Sequence, residues 1–109
     1  MKGEQRLTRP AQFKSVYESG SSVADRFLVI KAMANGLEIS RFGISVNKRV
    51  GNAVVRNQTK RRLREVLRLA PLLAGRDFIV IARQPAAEID YHQLEKSARS
   101  LLTRLRALK

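Results

Sequence analysis

The stretch RFGISVNKRVGNAVVRNQTKRRLR, residues 41–64, decides how the rest of this chain can be arranged. It joins a strand-like alternation to a Gly-Asn turn and a helical pattern, and it contains no acidic residue. Its basic residues are Arg41, Lys48, Arg49, Arg56, Lys60, Arg61, Arg62 and Arg64. Like charges at this density repel one another, so such a surface persists chiefly when its partner is a polyanion.

The second half of the stretch predicts an amphipathic helix. Asn52 is a good N-cap for a helix that begins near Ala53. At about 100° per residue, one arc of this helix is apolar and faces the core; it holds Val55, Thr59, Leu63, Val66, Leu67 and Ala70. The neighbouring arc is solvated and holds Asn57, Lys60, Arg61, Arg64 and Arg68, with Arg56 near the boundary and Arg62 on the other flank of the apolar arc. Solvated helices normally mix charge signs, and Glu65 is the only acid nearby, so a polyanion-binding face is favoured over a merely soluble one.

Length and composition limit the alternatives. The 109 residues suffice for one domain, residues 1–109, with a modest core. A formal net charge of +13 indicates nucleic acid first and an anionic membrane surface second. The absence of cysteine excludes a disulfide framework and a thiolate metal site. No apolar run approaches the roughly 20 residues of a membrane span, and the start MKGEQRLTRP has no signal-peptide core, so a cytoplasmic location is expected.

The remaining chain predicts a small α+β protein, an α/β sandwich with one sheet. Helices are expected at Pro10–Ser19, from Ala53, and from about Ile89 to Leu108. Strands are expected at Phe27–Ala34, Arg41–Val46 and Asp77–Arg83, the first two joined by Asn35-Gly36 as an antiparallel hairpin. Residues 1–9 are expected to be extended or frayed, and Ser21–Asp25 to be a polar connection. So short a chain leaves one face of the sheet partly open.

The first helix places ring-bearing residues on one side. Phe13, Val16 and Tyr17 follow the i, i+3, i+4 spacing of a single face. Such rings either pack into a core or line a groove, and a basic protein that stacks single-stranded bases would use them in the second way. Both interpretations are open at this stage.

The sequence offers no set of catalytic residues. His92 is the only histidine and lies at a polar helix start, where a surface or capping role is expected. The nine acids are scattered, without the close carboxylates that a two-metal nuclease needs. No glycine-rich phosphate loop is present either, so no catalytic residue is predicted in the protein.

The motif KRVGNAVVRNQTKRRLRE, residues 48–65, resembles the signature of the bacterial ribonuclease P protein subunit. Three further segments resemble the same family: RLTRPAQFKSVYESG at 6–20, FGISVNK at 42–48 and DFIVIARQPA at 77–86. The resemblance covers essentially the whole chain. It implies a mostly antiparallel sheet of about four strands with three helices and a left-handed βαβ crossover, against the usual preference. The fourth strand is one more than the residues indicate, and it is expected near Ser22 or at the hairpin.

The resemblance implies a protein cofactor whose chemistry belongs to RNA. In that family the RNA subunit, with bound Mg²⁺, hydrolyses the phosphodiester that joins the 5′ leader to precursor tRNA, while the protein binds the catalytic RNA and holds the leader. The implied partners are therefore the ribonuclease P RNA and precursor tRNA, with Mg²⁺ bound mainly by the RNA subunit and the substrate. Neither a membrane nor an obligate protein partner is implied.

The resemblance also implies site residues. The RNA-contacting motif matches Lys48, Arg49, Arg56, Asn57, Lys60, Arg61, Arg62 and Arg64. The leader-binding cleft matches Phe13, Tyr17 and Val29, and Lys31 stands where some members have an aromatic residue, which predicts a contact to backbone phosphate there. The family's Arg-Asn-Arg tripeptide is Arg56-Asn57-Gln58 here, one charge fewer, which Arg61 and Arg62 are placed to compensate. No metal position is implied for the protein.

Other classes of protein fit less of the sequence. A ribosomal RNA-binding protein would explain the charge but not the long motif or the cleft. A helix-turn-helix DNA binder is disfavoured because the basic helix is followed by a strand and has no compact partner helix. A peripheral membrane protein would need an exposed apolar face beside the arginines.

Overall fold

The computed structural model describes residues 6–7 and 9–109. Its helices are α1 (Pro10–Ser19), α2 (Ala53–Leu69) and α3 (Tyr91–Arg104), and its strands are β1 (Ser21–Ala24), β2 (Leu28–Ala34), β3 (Arg41–Val46) and β4 (Arg76–Ala82). Short 3₁₀ helices at Lys48–Val50 and Gln84–Glu88 precede α2 and α3. The three predicted helices and the three predicted strands are therefore present. The expectation for residues 1–5 and 8 lies outside the described residues.

The four strands form one mixed sheet in the order β1-β2-β4-β3. β1 pairs with β2 and β2 with β4 in antiparallel fashion, whereas β3 and β4 are parallel neighbours. Helix α2 connects these two parallel strands, as a βαβ unit requires. The sheet is thus mostly antiparallel with three helices, as predicted.

The fourth strand is the segment that the sequence predicted as a polar connection. That prediction for Ser21–Asp25 was wrong, because Ser21–Ala24 pairs with β2 from Ala32 to Val29. Strand β1 lies at the outer edge of the sheet, and three of its four residues are exposed. An exposed edge strand of small and polar residues lacks the apolar alternation by which strands are recognised.

The predicted antiparallel hairpin was also wrong, because β4 lies between β2 and β3. The loop after β2 instead crosses the start of β4. The Asn35 N–H donates to the Gly75 carbonyl at 2.9 Å, and the Gly75 N–H donates to the Ile39 carbonyl at 3.2 Å. Turn residues at Asn35-Gly36 thus mark a reversal of the chain without specifying which strand becomes the neighbour.

The main core lies between one face of the sheet and helices α2 and α3. The inward row includes Leu28 and Ile30 of β2 and Phe78 and Val80 of β4, all with 0% exposure. Burying one such side chain stabilises the fold by roughly 1.5–3 kcal/mol. The predicted apolar arc of α2 is confirmed, since Thr59, Leu63, Val66 and Leu67 are buried and Val55 and Ala70 are half-buried.

The opposite face of the sheet is covered in part by α1. Val16 is fully buried there against Ile79, together with Leu7, which is 5% exposed and whose N–H donates to the Phe42 carbonyl at 3.0 Å. The expectation that residues 1–9 are extended holds at Arg6 and Leu7, but a frayed state does not, because they form a bridge to β3. Helix α1 crosses the sheet from β3, where Phe13 contacts Gly43, to β2, where Gly20 lies against Ala32.

Below α1 this face stays partly accessible. We call the half-buried side chains of Val29, Lys31, Ser45 and Ile81 the open face; each lies in the alternating row that points towards α1. The expectation of one incompletely covered face is thereby confirmed. No helix within residues 6–7 and 9–109 is long and apolar enough to cross a membrane.

Candidate nucleic-acid interface

Two asparagines shape the backbone that carries the basic residues. The Asn47 side chain accepts the N–H of Arg49 at 2.9 Å and starts the 3₁₀ helix Lys48–Val50. The Asn52 side chain accepts the N–H of Val55 at 3.0 Å and caps α2, as the sequence predicted. Each cap satisfies a backbone donor that would otherwise lack an intrahelical partner. The chain therefore turns twice while Lys48 and Arg49 stay exposed.

Gly51 lies between the two caps because a side chain does not fit there. A Cβ at this position would lie 2.8 Å from Cγ1 and 2.9 Å from Cβ of Val55. Val55 itself packs against the main core. The close approach of the turn to the first turn of α2 therefore requires glycine.

The basic residues of α2 point in two directions. Lys60 and Arg64, one turn apart and about 6 Å along the axis, line a cleft of ≈ 190 Å³ together with Phe13 of α1 and Gly43 and Ile44 of β3. Asn57 and Arg61 instead line a shallow outer groove with Val54 and Gln58. The single solvated arc predicted from the sequence therefore serves two surfaces, and one of them adjoins α1.

Arg62 and Arg41 of the basic stretch bond to other parts of the protein. The Arg62 Nη1 donates to the Ile89 carbonyl at 3.2 Å, which ties α2 to the segment before α3. The Arg41 guanidinium donates to both carboxylate oxygens of Asp77, at 2.8 and 2.7 Å. This hydrogen-bonded pair raises the pKa of Arg41 and neutralises its charge. Arg41 thus stabilises the sheet and adds little to the basic surface.

Glu65, the acid of α2, is paired within the helix itself. Glu65 and Arg68 form a bidentate ion pair, with bonds of 3.0 and 2.6 Å, in the second half of the helix. The hydrogen bonds from Arg68 lower the pKa of the Glu65 carboxyl, so it stays ionised. No ion pair with another described residue involves Lys48, Arg49, Arg56 or Lys60.

The four residues assigned to the leader cleft lie on one side of the sheet. Val29 and Lys31 belong to the open face, and Phe13 and Tyr17 project from α1 above it. Phe13 is half-buried against β3, whereas Tyr17 is 42% exposed. Of the two alternatives for the rings, core packing therefore describes Phe13, and lining of a groove describes Tyr17.

Lys31 and Tyr17 contact each other across the cleft. The Lys31 Nζ lies 5.9 Å from the centroid of the Tyr17 ring, within the range of a cation–π interaction. The ammonium thereby lies over one face of the exposed ring, so this point offers a positive charge for a phosphate next to an aromatic group for a base.

Sequence reasoning missed residues that share this surface. Ser45 and Ile81 complete the floor of the open face, and Arg83 follows Ile81 at the position that alternates to the same side. The register between the strands identifies these residues, because residues i and i+2 of a strand point to one face of the sheet. Without the neighbour relation between β3 and β4, that register was not available.

Fold and site together define a small nucleic-acid-binding protein of the α/β sandwich type, with a basic helix beside a partly open sheet. A family model described as Ribonuclease P matches residues 1–106 of the chain. The chain is 44% identical over 99 residues to the ribonuclease P protein component of Caldanaerobacter subterraneus subsp. tengcongensis, covering 89% of this chain and 85% of that protein. It is 42% identical over 108 residues to that of Dehalococcoides mccartyi, covering 99% and 90%.

Solved structures show the same similarity. The RNase P protein of Staphylococcus aureus superposes with a TM-score of 0.89 at 37% identity, covering 98% of this chain and 100% of that chain. The RNase P protein of Thermotoga maritima gives a TM-score of 0.84 at 30% identity, covering 93% and 97%. The chain belongs to the bacterial ribonuclease P protein family, and it is a protein component of the ribonucleoprotein that processes the 5′ leader of tRNA. Its partner is accordingly the ribonuclease P RNA.

Proposed function

We propose that this chain is the non-catalytic subunit of the endonuclease and that it binds precursor tRNA by the 5′ leader. The observation that carries the proposal is the continuity between two surfaces: Lys60 and Arg64 line the same cleft as Phe13, which adjoins the open face with Tyr17 and Lys31. A substrate whose junction lies near the basic helix can thus extend its single-stranded leader below α1.

We assign the basic residues to two RNAs, the catalytic RNA and precursor tRNA. The exposed side chains Lys48 and Arg49 between the two caps, and Asn57 and Arg61 on α2, suit the phosphates of the folded catalytic RNA. Arginine contacts phosphate through a planar fork, whereas lysine acts as a mobile charge. Arg56 and Arg62, both half-buried, position this surface as well as adding charge to it.

The leader is held by stacking and charge together. Tyr17 supplies a ring face for a base, a contact that is worth about 1–3 kcal/mol per base and tolerates any sequence. The Lys31 ammonium beside that ring favours the following phosphate, and Val29 gives an apolar floor. The cleft therefore binds a leader with little preference for its bases.

The chemistry in this proposal belongs to the RNA. Mg²⁺ supplies the Lewis acid and the activated water for phosphodiester hydrolysis, and we assign it mainly to the RNA subunit and the substrate. Within residues 6–7 and 9–109, no three His, Cys, Asp or Glu side chains are grouped as a metal site would require. The protein's own contribution is to add positive charge and to align the leader, in the cytoplasm where tRNA is processed.

The test is cleavage of a precursor tRNA by the cognate RNA at low Mg²⁺, with and without this protein, on substrates that carry or lack a leader. We expect stimulation, and tighter binding of the leader-bearing substrate than of the leaderless one. Protein that binds RNA without stimulating cleavage or distinguishing leaders would instead act as a ribosomal type of RNA binder.

The variant Lys31→Ala tests the role of the cleft. It should weaken binding of the leader-bearing substrate by several-fold and leave leaderless binding unchanged, because its ammonium lies over the open face and not on α2. An equal loss on both substrates would place Lys31 outside the leader path. Lys14→Ala, on the exposed side of α1, is a matched control of equal charge.

A further inference from the structure

The turn between β1 and β2 collects arginines from distant parts of the chain. The Arg83 Nη1 donates to the Asp25 carbonyl at 3.0 Å, and the Arg104 Nη1 donates to the Ala24 carbonyl at 3.2 Å. The two guanidinium groups therefore bond to consecutive residues at the end of β1. Arg26 follows in the same turn and is exposed. We call Arg26, Arg83 and Arg104 the edge cluster.

The positive charge of the edge cluster is not neutralised. None of its three arginines forms an ion pair within the part of the chain that the structure describes. The nearby Asp25 carboxylate is turned inward: one oxygen accepts the N–H groups of Phe27 and Leu28, and the other accepts the Ser97 hydroxyl at 2.5 Å. One carbonyl contact uses one of five guanidinium N–H donors, which leaves the others for an anion.

The edge cluster lies at the far end of the open face from the basic helix. Helix α2 packs against β3 at one edge of the sheet, and β1 forms the opposite edge. With strands about 4.8 Å apart, the two edges are separated by roughly 14 Å. Helix α1 crosses the strands from β3 to β2, so the open face below it leads from the Lys60–Arg64 side towards β1. Arg83, beyond Ile81, lies along this path.

We propose that the edge cluster binds backbone phosphates of the leader beyond the open face, as a second contact for long leaders. The inference rests on the proposed function. One end of a leader is fixed at the cleavage junction near the basic helix, so its free end leaves the cleft over β1. There it meets the arginines of the edge cluster, which recognise a phosphodiester by charge and by their forked donors.

A series of precursor tRNAs whose leaders grow one nucleotide at a time tests this proposal. Affinity for the holoenzyme should rise in two steps, the first as the leader fills the open face and the second as it reaches the edge cluster. The double variant Arg26→Gln/Arg104→Gln should lose the second step and keep the first. For long leaders, removal of two phosphate contacts should reduce the slope of log K against log salt by about 1.4. Lys109→Gln removes one charge as a control. Lys109 is exposed, and its N–H donates to the carbonyl of Pro71, which follows α2 in the sequence.

The outcomes separate this inference from the proposed function. Loss of affinity by the double variant for short and long leaders alike would overturn the inference, as would retention of both steps. Arg26→Gln alone guards against a folding defect, because the Arg26 side chain is exposed and forms no ion pair with the described residues; it should lower the second step partially. If wild-type protein binds leaderless and leader-bearing substrates equally, the proposed function fails first and the inference with it.

Discussion

Replacing Gly43 by alanine tests how tightly α1 sits on the sheet. A Cβ at this position would lie 2.6 Å from two ring carbons of Phe13, whereas ordinary contacts begin at 3.4 Å. The ring must therefore move, and overpacking of this kind costs about 1–3 kcal/mol. Alanine also recovers about 0.4–1 kcal/mol because it restricts the unfolded chain. The expected net loss in the free energy of unfolding is about 1–2 kcal/mol.

The assay is urea unfolding followed by far-UV circular dichroism at constant salt, because a chain of charge +13 is stabilised by anions. It compares the wild type, Gly43→Ala, Phe13→Leu and the double variant. In the Phe13→Leu background the ring carbons are absent, so Gly43→Ala should cost nothing or stabilise by about 0.5 kcal/mol. A coupling free energy of about 1–2 kcal/mol follows. Equal costs of Gly43→Ala in both backgrounds would refute the contact between ring and strand.

Three further predictions concern polar side chains of the sheet and of helices α2 and α3. Asp77→Ala leaves the Arg41 guanidinium without its carboxylate and should lower the free energy of unfolding by about 2–4 kcal/mol in urea titration, where a change below about 1 kcal/mol would contradict the role of the pair. Arg62→Ala should lower the melting temperature, whereas Arg61→Ala should weaken RNA binding at unchanged melting temperature; thermal scans and filter binding would expose a reversed pattern. The Tyr91 hydroxyl is buried with no hydrogen-bond partner among residues 6–7 and 9–109, so Tyr91→Phe should leave stability unchanged or raise it by up to about 1 kcal/mol. Burial also raises the pKa of Tyr91, so the wild type should lose stability as the pH rises above about 10, and Tyr91→Phe should lose less in the same alkaline titration.

Local signals predicted the elements of this fold well. Helix α1 has the predicted bounds Pro10–Ser19, β3 has the predicted bounds Arg41–Val46, and the Asn52 cap starts α2 as expected. Capping side chains and apolar periodicity act within a few residues, so they are legible in a single sequence.

The sequence did not show in the same way which strands are neighbours in the sheet. Insertion of β4 between β2 and β3 joins segments that are far apart in the sequence, and the turn at Asn35-Gly36 is compatible with either neighbour. The resemblance to a family supplied the strand count and gave two places for the fourth strand, near Ser22 or at the hairpin, and β1 occupies the first of them. Partners that are distant in the sequence were not predicted either. Arg41 and Arg62 were therefore counted as surface charges, although they bond to Asp77 and to the Ile89 carbonyl.

The central position of β4 has a consequence for the order in which the protein is made. Both β2 and β3 depend on β4, which begins only at Arg76, and its pairing with β2 joins residues as distant as Leu28 and Ala82. Contacts this far apart in sequence form slowly. The complete basic stretch therefore emerges from synthesis before the sheet that supports it can close. A polyanion that meets the nascent chain can bind that stretch while α2 still lacks its core, and one that prefers the folded arrangement would favour its completion.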